Sequence, residues 1–281
     1  MTVVEAEQFP VGLKSSRRHL VKVGALVASA LFAGAGSLRS AAADDGNHKP
    51  HDGCDGDGDD DDQHCCFLKG TVIATVAGVR PIEELAVGDR LPTVFHGTPA
   101  IRWISRSSFR RSDSSRPWPR HLLPVRIARS ALGPDRPRAD LYVTRSHALL
   151  LDGILIQAGS LLNGTTITLD KAREHDELSY FHVKLDAHDA IYAEGVACES
   201  MLNLDTNAAN FSEYLQRYGV PVPDEAPCVP IVSAGGRSEL CSRLRSAVAP
   251  WIDRRQQRDI IRDRLEERGI MLSRQPAPLV L

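Results

Sequence analysis

Short runs in which apolar and polar residues alternate recur through the middle of the 281-residue chain. They are separated by Gly, Pro, Asn and Asp, and they include GTVIATVAG, AIRWISR, TTITLD and ELSYFHVKLDAHDAIYAEG. Alternation with a period of two is typical of half-buried strands, and the separating residues are typical of tight turns. The runs do not alternate with long helical segments. The pattern therefore predicts a compact, mostly β domain with antiparallel strands over residues 66–205.

The pattern changes after the last of these runs. NFSEYLQRYG predicts a short amphipathic helix that ends at Gly219, and VPVPDEAPCVP predicts an extended, Pro-rich linker. Helical periodicity then returns and predicts helices over 237–248 and 251–268, the second closed by Gly269. We expect residues 206–281 to form a small helical extension, in which the arginines of the last helix lie on a solvated, salt-bridged face.

The first segment has the parts of an export signal. SRRHLVK at residues 16–22 closely resembles the twin-arginine motif, an apolar run follows to about Leu38, and small residues end at Ala43. The apolar run is shorter than the roughly 20 residues of a membrane-spanning helix, which favours a signal over an anchor. We expect a signal peptide over residues 1–43, cleaved after Ala43, on a bacterial chain. Its partner would be the twin-arginine export machinery, and its destination the periplasm or beyond.

Charge is distributed unevenly along the chain. Residues 44–65 carry a run of aspartates and little that could drive folding, which predicts a disordered, Asp-rich linker. The formal net charge of the whole chain is only −2, so nothing in it indicates nucleic-acid binding. Residues 107–120 predict a basic loop between strands. Its Trp118 and arginines either bind an acidic partner, such as the chain's own Asp run, or are simply solvated.

The six cysteines do not indicate a metal site. They lack the paired spacing of zinc ligands, and adjacent Cys65 and Cys66 would have poor geometry as two ligands of one tetrahedral ion. Six cysteines are also too few for a disulfide scaffold at this length. We therefore predict no metal and no cofactor.

Cys66 opens the first predicted strand and is placed to act as a nucleophile. One acyl group is always within its reach, the carbonyl of Cys65, and attack there would convert the Cys65–Cys66 peptide bond into a thioester. The chain's own N-terminal segment would then be the acyl donor. Thr144 and His147, which are three residues apart, come directly after a predicted strand. They offer a hydroxyl that can position or polarise the carbonyl and an imidazole that can protonate the departing amine.

Four motifs in order carry a resemblance to a known family: CFLKGTVI from Cys66, PIEELAVGD from Pro81, TRSHALLLDG from Thr144 and YFHVKLDAHDAIYAEG from Tyr180. On these motifs the chain resembles the Hint superfamily, the fold shared by Hedgehog autoprocessing domains and inteins. It is most similar to bacterial Hint-type domains that lack intein splice ends. The resemblance implies a twisted, antiparallel, horseshoe-like β fold in which Cys66 and His147 meet. It also implies an N-to-S acyl shift at the Cys65–Cys66 bond, aided by Thr144 and His147.

The chain departs from inteins at the end of the domain. Inteins end on His-Asn before Ser, Thr or Cys, whereas the corresponding stretch here, VACES at residues 196–200, has no Asn. We therefore expect an autocatalytic cut without full splicing. Water, a thiol or another nucleophile would resolve the thioester, and the sequence does not identify this acceptor. The alternative is a catalytically inactive Hint-fold binding module on an exported protein.

Two further residues, His182 and Cys198, have two readings each. His182 stands near a position where inteins often carry an Asp, and it is either an assisting base or a structural imidazole in a turn. Cys198 is either a second acyl acceptor or a buried thiol. His188, with Asp189, is expected to shape the turn into the last strand through local side-chain to backbone hydrogen bonds.

Overall fold

The computed structural model describes residues 65–111, 113, 115–219, 226–232, 243–246, 249 and 255–274. The predicted signal peptide over residues 1–43 lies outside them, as does the predicted acidic linker up to His64. All described residues belong to one unit of the chain, residues 57–281. Within this described part, no helix combines the length and the apolar character needed to cross a membrane.

The described residues form thirteen mostly short β-strands. In chain order these are β1 (Phe67–Leu68), β2 (Val72–Thr75), β3 (Gly78–Pro81), β4 (Trp103–Arg110), β5 (Val125–Ile127), β6 (Leu141–Val143), β7 (Ala148–Leu151), β8 (Ile154–Gln157), β9 (Ile167–Leu169), β10 (Glu177–Lys184), β11 (Ala190–Ala193), β12 (Val196–Glu199) and β13 (Ile231–Val232). Single 3-10 turns lie at Ile82–Glu84, Arg120–Leu122 and Ala158–Leu161. The prediction of a mostly β fold is confirmed.

The strands form two sheets, and β1 lies in the middle of the first. That sheet has the order β4-β10-β1-β6-β5-β9. β1 pairs antiparallel with β10 on one side and β6 on the other, so that Phe67 faces Phe181 and Val143. This register brings the residue before β1 next to the residue after β6. Cys66 and Thr144 are therefore neighbours in space although 78 positions separate them in the chain.

The second sheet has the order β13-β8-β7-β12-β11-β2-β3. Neighbouring strands in it are antiparallel, except for β13, which runs parallel to β8. The hairpin between β7 and β8 turns at Asp152 and Gly153, whose φ angles are 49° and 85°. Two consecutive positive φ angles are typical of a type I′ turn, in which Asp-Gly is a preferred pair. It is one of the tight turns that the Gly and Asp residues between the alternating runs predicted.

The apolar faces of the two sheets meet in one core. Phe67 and Val143 enter it from the first sheet, and Leu149 and Ile191 enter it from the second, each fully buried. Burying an aliphatic or aromatic side chain of this size contributes about 1.5–3 kcal/mol. Strands of two to four residues are marginal by themselves, so this shared burial rather than strand propensity holds them in place.

The first helix after the β domain packs against it. α1 (Phe211–Tyr218) ends at Gly219, as predicted. The rings of Phe211 and Tyr214 lie 6.3 and 5.2 Å from that of Trp103. These edge-on aromatic contacts fix the first helix of the extension on the end of β4.

The last helix begins and ends later than predicted. α2 spans Gln257–Ser273, while Gln256 and Asp259 form a capping box at its start. The predicted helix over 251–268 was therefore wrong at residues 255 and 256, which are not helical, and at its C-terminal end. Ile261 and Leu265 of α2 enter the shared core. Packing on the β domain, rather than periodicity alone, decides where this helix lies.

The prediction of a solvated arginine face on this helix was also wrong in part. Arg258 and Arg262 are 5% and 3% exposed. Arg262 donates to Ser246 Oγ over 3.0 Å, so it connects α2 to the helical residues 243–246. These four residues fall inside the helix predicted over 237–248.

Gly269 does not close the helix, because it lies where α2 touches the β domain. A Cβ atom at this position would lie 2.3 Å from Thr165 Oγ1, and 3.2 Å from both Asn163 Nδ2 and Thr166 Oγ1. A side chain does not fit at such a distance without displacing its neighbours. The glycine thus sets how closely the helix approaches the loop before β9.

We therefore expect Gly269→Ala to lower the free energy of unfolding by about 1–3 kcal/mol, the usual cost of overpacking. In a helix with room for a methyl group, the same change would stabilise by about 0.5–1 kcal/mol. The matched control is the change in a Thr165→Ala background, which removes the nearest atom and should recover most of the loss. Urea unfolding of the single and double variants measures both effects. A stabilising Gly269→Ala in the natural background would contradict the close contact.

Candidate active site

Cys66 precedes β1 and is held by its backbone. Its N–H donates a hydrogen bond to Thr144 Oγ1 over 2.9 Å, and the Thr144 N–H donates to the Cys66 carbonyl over 2.9 Å. The thiol side chain is buried, with 1% exposure. The structure thus joins two of the predicted site residues, and the nitrogen of the Cys65–Cys66 bond is the donor of one of the joining hydrogen bonds.

His147 lies in the same place, three residues after Thr144. Its N–H donates to the Thr144 carbonyl over 3.2 Å, and its fully buried ring lies 4.2 Å from the ring of Phe67. The ring lies beside the Cys65 backbone, but neither ring nitrogen makes a well-formed hydrogen bond to a described residue. Burial lowers the pKa of His147 to about 3, an effect that the nearby Cys65 backbone only partly offsets. The imidazole is therefore neutral at physiological pH.

His182 completes the group from β10. It lies opposite Ser105 of β4, with its ring 5.3 Å from that of His147. Burial, and then the neighbouring His147, lower the pKa of His182 to about 3, while Glu199 acts in the opposite direction. The reading of His182 as an imidazole in a turn was wrong, because the residue lies inside an eight-residue strand.

Glu199, at the end of β12, is a site residue that the sequence analysis missed. Its Oε1 accepts a hydrogen bond from Ala148 N over 2.6 Å, and its Oε2 lies 3.9 Å from His188 Nε2. The carboxylate is 4% exposed and raises the pKa of both Cys65 and Cys66. A Glu in a strand gives no sequence signal of its own, since only the strand register brings it to the cysteines.

Both cysteine thiols stay protonated at neutral pH. Burial raises the pKa of Cys66 well above its usual value, and Asp205 and Glu199 raise it further, while the Ser105 hydroxyl acts in the opposite direction. The pKa of Cys65 is raised by burial and then by Glu199. A thiolate at Cys66 is therefore not a resting state, and attack by its sulfur requires a proton acceptor.

A cavity of about 410 Å³, which we call the active-site cavity, borders this group. Its walls come from both sheets and from the segment after β12, namely Cys65, Cys66, Ser146, Gln157, His182, Glu199, Leu202, Asn203, Leu204, Asp205, Thr206, Asn207 and Ile231. The volume is that of a small-molecule site. A small nucleophile could therefore reach the Cys65–Cys66 bond.

The structure does not bring Cys198 to this group. The side chain is fully buried in the shared core, and its Sγ lies 3.5 Å from the Val196 carbonyl oxygen. Neighbouring residues of a strand face opposite ways, so Glu199 lines the cavity while Cys198 faces the core. Burial raises the pKa of Cys198 strongly.

The pair His188-Asp189 does more than shape a turn. Asp189 accepts hydrogen bonds from Phe95 N over 3.1 Å and from His96 N over 2.8 Å, as well as the expected local one from Ala190 N. His188 Nδ1 accepts from Cys228 N over 3.0 Å. The predicted local hydrogen bond is confirmed at Asp189. Both side chains also hold distant segments, which the sequence did not indicate.

Comparison with known proteins gives one family match. A family model described as "Hint domain" matches residues 65–205, about half of the chain. No curated protein matches the chain.

Similar solved structures include the bacterial intein-like domain from Clostridium thermocellum, a DnaB intein from Synechocystis sp. PCC 6803 and the gp41-1 intein. The sequence identities are 14%, 10% and 12%. The matches cover 48%, 49% and 48% of this chain and 98%, 99% and 97% of those chains, with TM-scores of 0.35, 0.33 and 0.34. The likeness to these structures adds nothing to the family match.

The buried imidazoles predict a pH-dependent stability. His147 and His182 have folded-state pKa values lowered to about 3, whereas the unfolded chain protonates them at about pH 6.5. The unfolded chain thus binds more protons between these values. The free energy of unfolding is therefore highest above about pH 6.5. It falls as the pH drops below this value, by up to about 1.4 kcal/mol per pH unit for each imidazole. Urea unfolding between pH 7 and pH 4 measures this slope.

His182→Gln should flatten the slope, since it removes one of the two groups. His175→Gln is the matched control, because that imidazole is exposed and the change should leave the slope as it is. Equal slopes in the natural chain and in His182→Gln would contradict the neutral, buried state of His182.

Proposed function

The chain belongs to the Hint domain family, and on that premise we propose that it is a self-processing domain that cleaves its own Cys65–Cys66 bond. Such a cut needs a nucleophile, a carbonyl within its reach and a proton donor for the departing nitrogen. Cys66, the Cys65 carbonyl and His147 take these roles. The segment before Cys66 is the acyl donor.

The contact between Cys66 and Thr144 carries the proposal. The nitrogen that would depart, Cys66 N, donates its hydrogen bond to a hydroxyl, Thr144 Oγ1, over 2.9 Å. A hydroxyl can both accept and donate. Thr144 can therefore hold the N–H of the intact peptide bond and later donate to the lone pair of the departing amine, which a backbone carbonyl in the same place could not do.

The first step is an N-to-S acyl shift. The Cys66 thiol loses its proton, and its sulfur attacks the Cys65 carbonyl carbon. The bond from that carbon to Cys66 N breaks, and the nitrogen takes up one proton to become a free amine. A thioester then joins the Cys65 acyl group to Cys66 Sγ. One proton leaves the sulfur and one reaches the nitrogen, so the step is balanced.

His147 and His182 carry these protons. Both imidazoles have a pKa lowered to about 3, so both are neutral and able to accept a proton at pH 7. His182 lines the active-site cavity beside Cys66 and serves the thiol. His182 then passes this proton to His147, whose ring centre lies 5.3 Å from its own. The His147 imidazolium, which lies against the Cys65 backbone, gives the proton to the departing nitrogen. An imidazolium with a low pKa gives up its proton readily, which suits transfer to a departing amine.

The second step resolves the thioester. Water yields a carboxylate at Cys65, and a thiol takes the acyl group as a new thioester. In both cases the chain from Cys66 onward is released with a free thiol and a free amine. The stretch Cys198-Glu199-Ser200 offers no Asn that could cyclise, so the reaction ends here without joining two flanks.

A catalytically inactive binding module is the second candidate function, and one observation favours it. Burial, together with Asp205 and Glu199, raises the pKa of the Cys66 thiol and so opposes its ionisation. In this case the active-site cavity would hold a ligand and cut no bond. The two functions differ in one product, since only a self-processing domain yields a chain that begins at Cys66.

Intact-mass measurement with and without excess thiol tests this. We expect a fragment that begins at Cys66, formed faster with thiol, and none from Cys66→Ala. Thr144→Val should slow the cut about 10- to 100-fold, because it keeps the shape and removes the hydroxyl, whereas Thr144→Ser should retain most of the rate.

Cys198→Ala is the matched cysteine control, and we expect it to cut at the natural rate. An intact natural chain after long incubation with thiol, while Cys66 still reacts with an alkylating reagent, would reject self-processing and favour the binding module.

For the cellular location we propose export by the twin-arginine machinery, supported by the SRRHLVK motif and the small residues that end at Ala43. The signal lies upstream of the Cys65–Cys66 bond, so a cut in the cytosol would separate the β domain from its signal and leave it in the cytosol. If the cut follows transport, the β domain is exported with the signal.

We expect cell fractionation to find the fragment from Cys66 to Leu281 in the periplasm or the medium. Replacing Arg17 and Arg18 by lysine should retain the chain in the cytosol. A fragment that stays in the cytosol with either signal would contradict export of the β domain.

A further inference from the structure

A second cavity, of about 590 Å³, has four cationic side chains among its eight lining residues. We call it the arginine cavity and define it by Arg111, Arg116, Lys171, Arg173 and Trp118. It lies in the region where a basic loop was predicted. That prediction was wrong at both ends of the loop, since β4 extends to Arg110 and Arg120 begins a 3-10 turn.

Trp118 is buried and not part of a solvated loop. It is 5% exposed, and its Nε1 donates to the His175 carbonyl over 3.0 Å. The Arg111 guanidinium lies 5.6 Å from the centre of its ring. The indole therefore forms a fixed wall against which this arginine is held.

Arg111 is held in place but not fully satisfied. Its side chain is 9% exposed, and its terminal nitrogens donate to the carbonyls of Arg116 and Arg173 over 3.3 and 3.2 Å and to Asp176 over 3.2 Å. Its Nε has no hydrogen-bond partner among the described residues. A buried guanidinium with an unpaired N–H is costly, and an anion beside it in the cavity would stabilise its charge.

Positive charge is in excess around the cavity. Asp176 faces Arg111, and Asp113 lies 3.6 Å from Arg116. Neither Lys171 nor Arg173 forms an ion pair with any carboxylate in the described part of the chain. Two acidic neighbours thus face four cations, which indicates an acidic ligand rather than a neutral one.

The arginine cavity and Cys66 share one apolar cluster. Trp118 and Ala172 belong to the same cluster as Cys66, Leu68, Leu178 and Tyr180. Burial, and then the nearby Cys66, raise the pKa of the Tyr180 hydroxyl, which donates to the Leu122 carbonyl over 2.6 Å. Leu122 is followed by Leu123, which lines the arginine cavity. The cavity is therefore adjacent to the start of the domain.

We propose that the arginine cavity binds the chain's own aspartates at positions 57–62, the segment that precedes the bond to be cut. That segment reads DGDDDD and holds five carboxylates. Asp62 lies three residues before Cys65 and Asp57 lies eight before it. Fully extended chain therefore allows the Asp62 carboxylate to lie up to about 10 Å from Cys65 and that of Asp57 up to about 29 Å. Charge, distance along the chain and the shared cluster all favour this occupant over an unrelated acidic ligand.

Binding there would hold the acyl donor. This positioning role deepens the proposed function. It rests on the proposed function in one respect, namely that the bound aspartate run belongs to the segment that the cut at Cys65–Cys66 removes. Anchoring the run a few residues upstream restricts the Cys65 carbonyl to the neighbourhood of Cys66, which is how a remote contact raises the rate of a reaction. Guanidinium groups suit carboxylates because their N–H pairs match the two oxygens.

Carbodiimide cross-linking of the full chain tests the binding by itself. The reagent joins carboxylates to lysines that they contact, and the described part of the chain holds only Lys69, Lys171 and Lys184. The Cys66→Ala chain is used, so that no cut removes the run. We expect cross-links from Asp57–Asp62 to Lys171 in preference to Lys69, although Lys69 is far closer along the sequence and is exposed.

Matched variants identify the cavity as the cause. Replacing exposed Arg116 and Arg173 by serine should lower the Lys171 cross-link about threefold or more, as expected for the loss of two exposed cations. Replacing Arg129, an exposed arginine outside the cavity, should leave it unchanged. Equal cross-linking to Lys69 and Lys171, or no effect of the double replacement, would overturn the proposal. A mixture of isotope-labelled and unlabelled chains separates contacts within one chain from contacts between two copies, and the latter would also overturn it.

The rate of the cut tests the positioning role separately from the binding. In the natural chain, replacing the five aspartates by asparagine should slow release of the fragment from Cys66 about three- to tenfold, because the run is no longer held. A natural chain that never cuts, in the presence of the Lys171 cross-link, rejects the proposed function and leaves the binding site intact. A chain that cuts at the same rate with asparagines rejects the positioning role.

Discussion

The hydrogen bond from Cys66 N to Thr144 Oγ1 is the contact on which the rest of the site depends. β1 has two residues, too few to fix its own position, and this bond anchors its first end to the end of β6. With β1 fixed, Phe67 seats the His147 ring, and the pairing with β10 brings His182 alongside. Thus one strand register aligns a thiol, a hydroxyl and two imidazoles, and a slip by one residue would turn each side chain to the other face.

Burial then decides which charges the site can hold. It keeps the imidazoles neutral and the thiols protonated, because an isolated charge is costly where water is excluded. Glu199 adds a second bias, since its carboxylate raises the pKa of His182 and also that of Cys66. The first effect favours a proton on the imidazole, whereas the second holds the proton on the Cys66 thiol and disfavours a free thiolate. The reaction that suits such a site transfers the proton to His182 as the sulfur–carbon bond forms, so that a thiolate is never fully developed.

The sequence indicated the parts of this arrangement that are local or that depend on a period of two. Alternation predicted the strands, the Gly and Asp residues between them predicted turns such as the one at Gly153, and position at the start of the first strand singled out Cys66. Parts that depend on register could not be predicted from one sequence. In the sequence Glu199 is only a charged residue in an apolar run, and the pairing of β12 with β7 is what brings it to the site. Gly269 is typical of a helix end in the sequence, and only the structure shows that it lies against Thr165.

The residues after the β domain belong to the site as well, although the family match stops at residue 205. Ile231 of β13 lines the active-site cavity, so the second sheet is extended at its edge by a strand from the C-terminal extension. The same segment is tied inward at Cys228, whose N–H donates to His188, and His188 in turn lies 3.9 Å from Glu199. A displacement of this segment would therefore move a cavity wall and alter the surroundings of the carboxylate that biases the cysteines. The active-site cavity is therefore built by the β domain together with the strand that follows it.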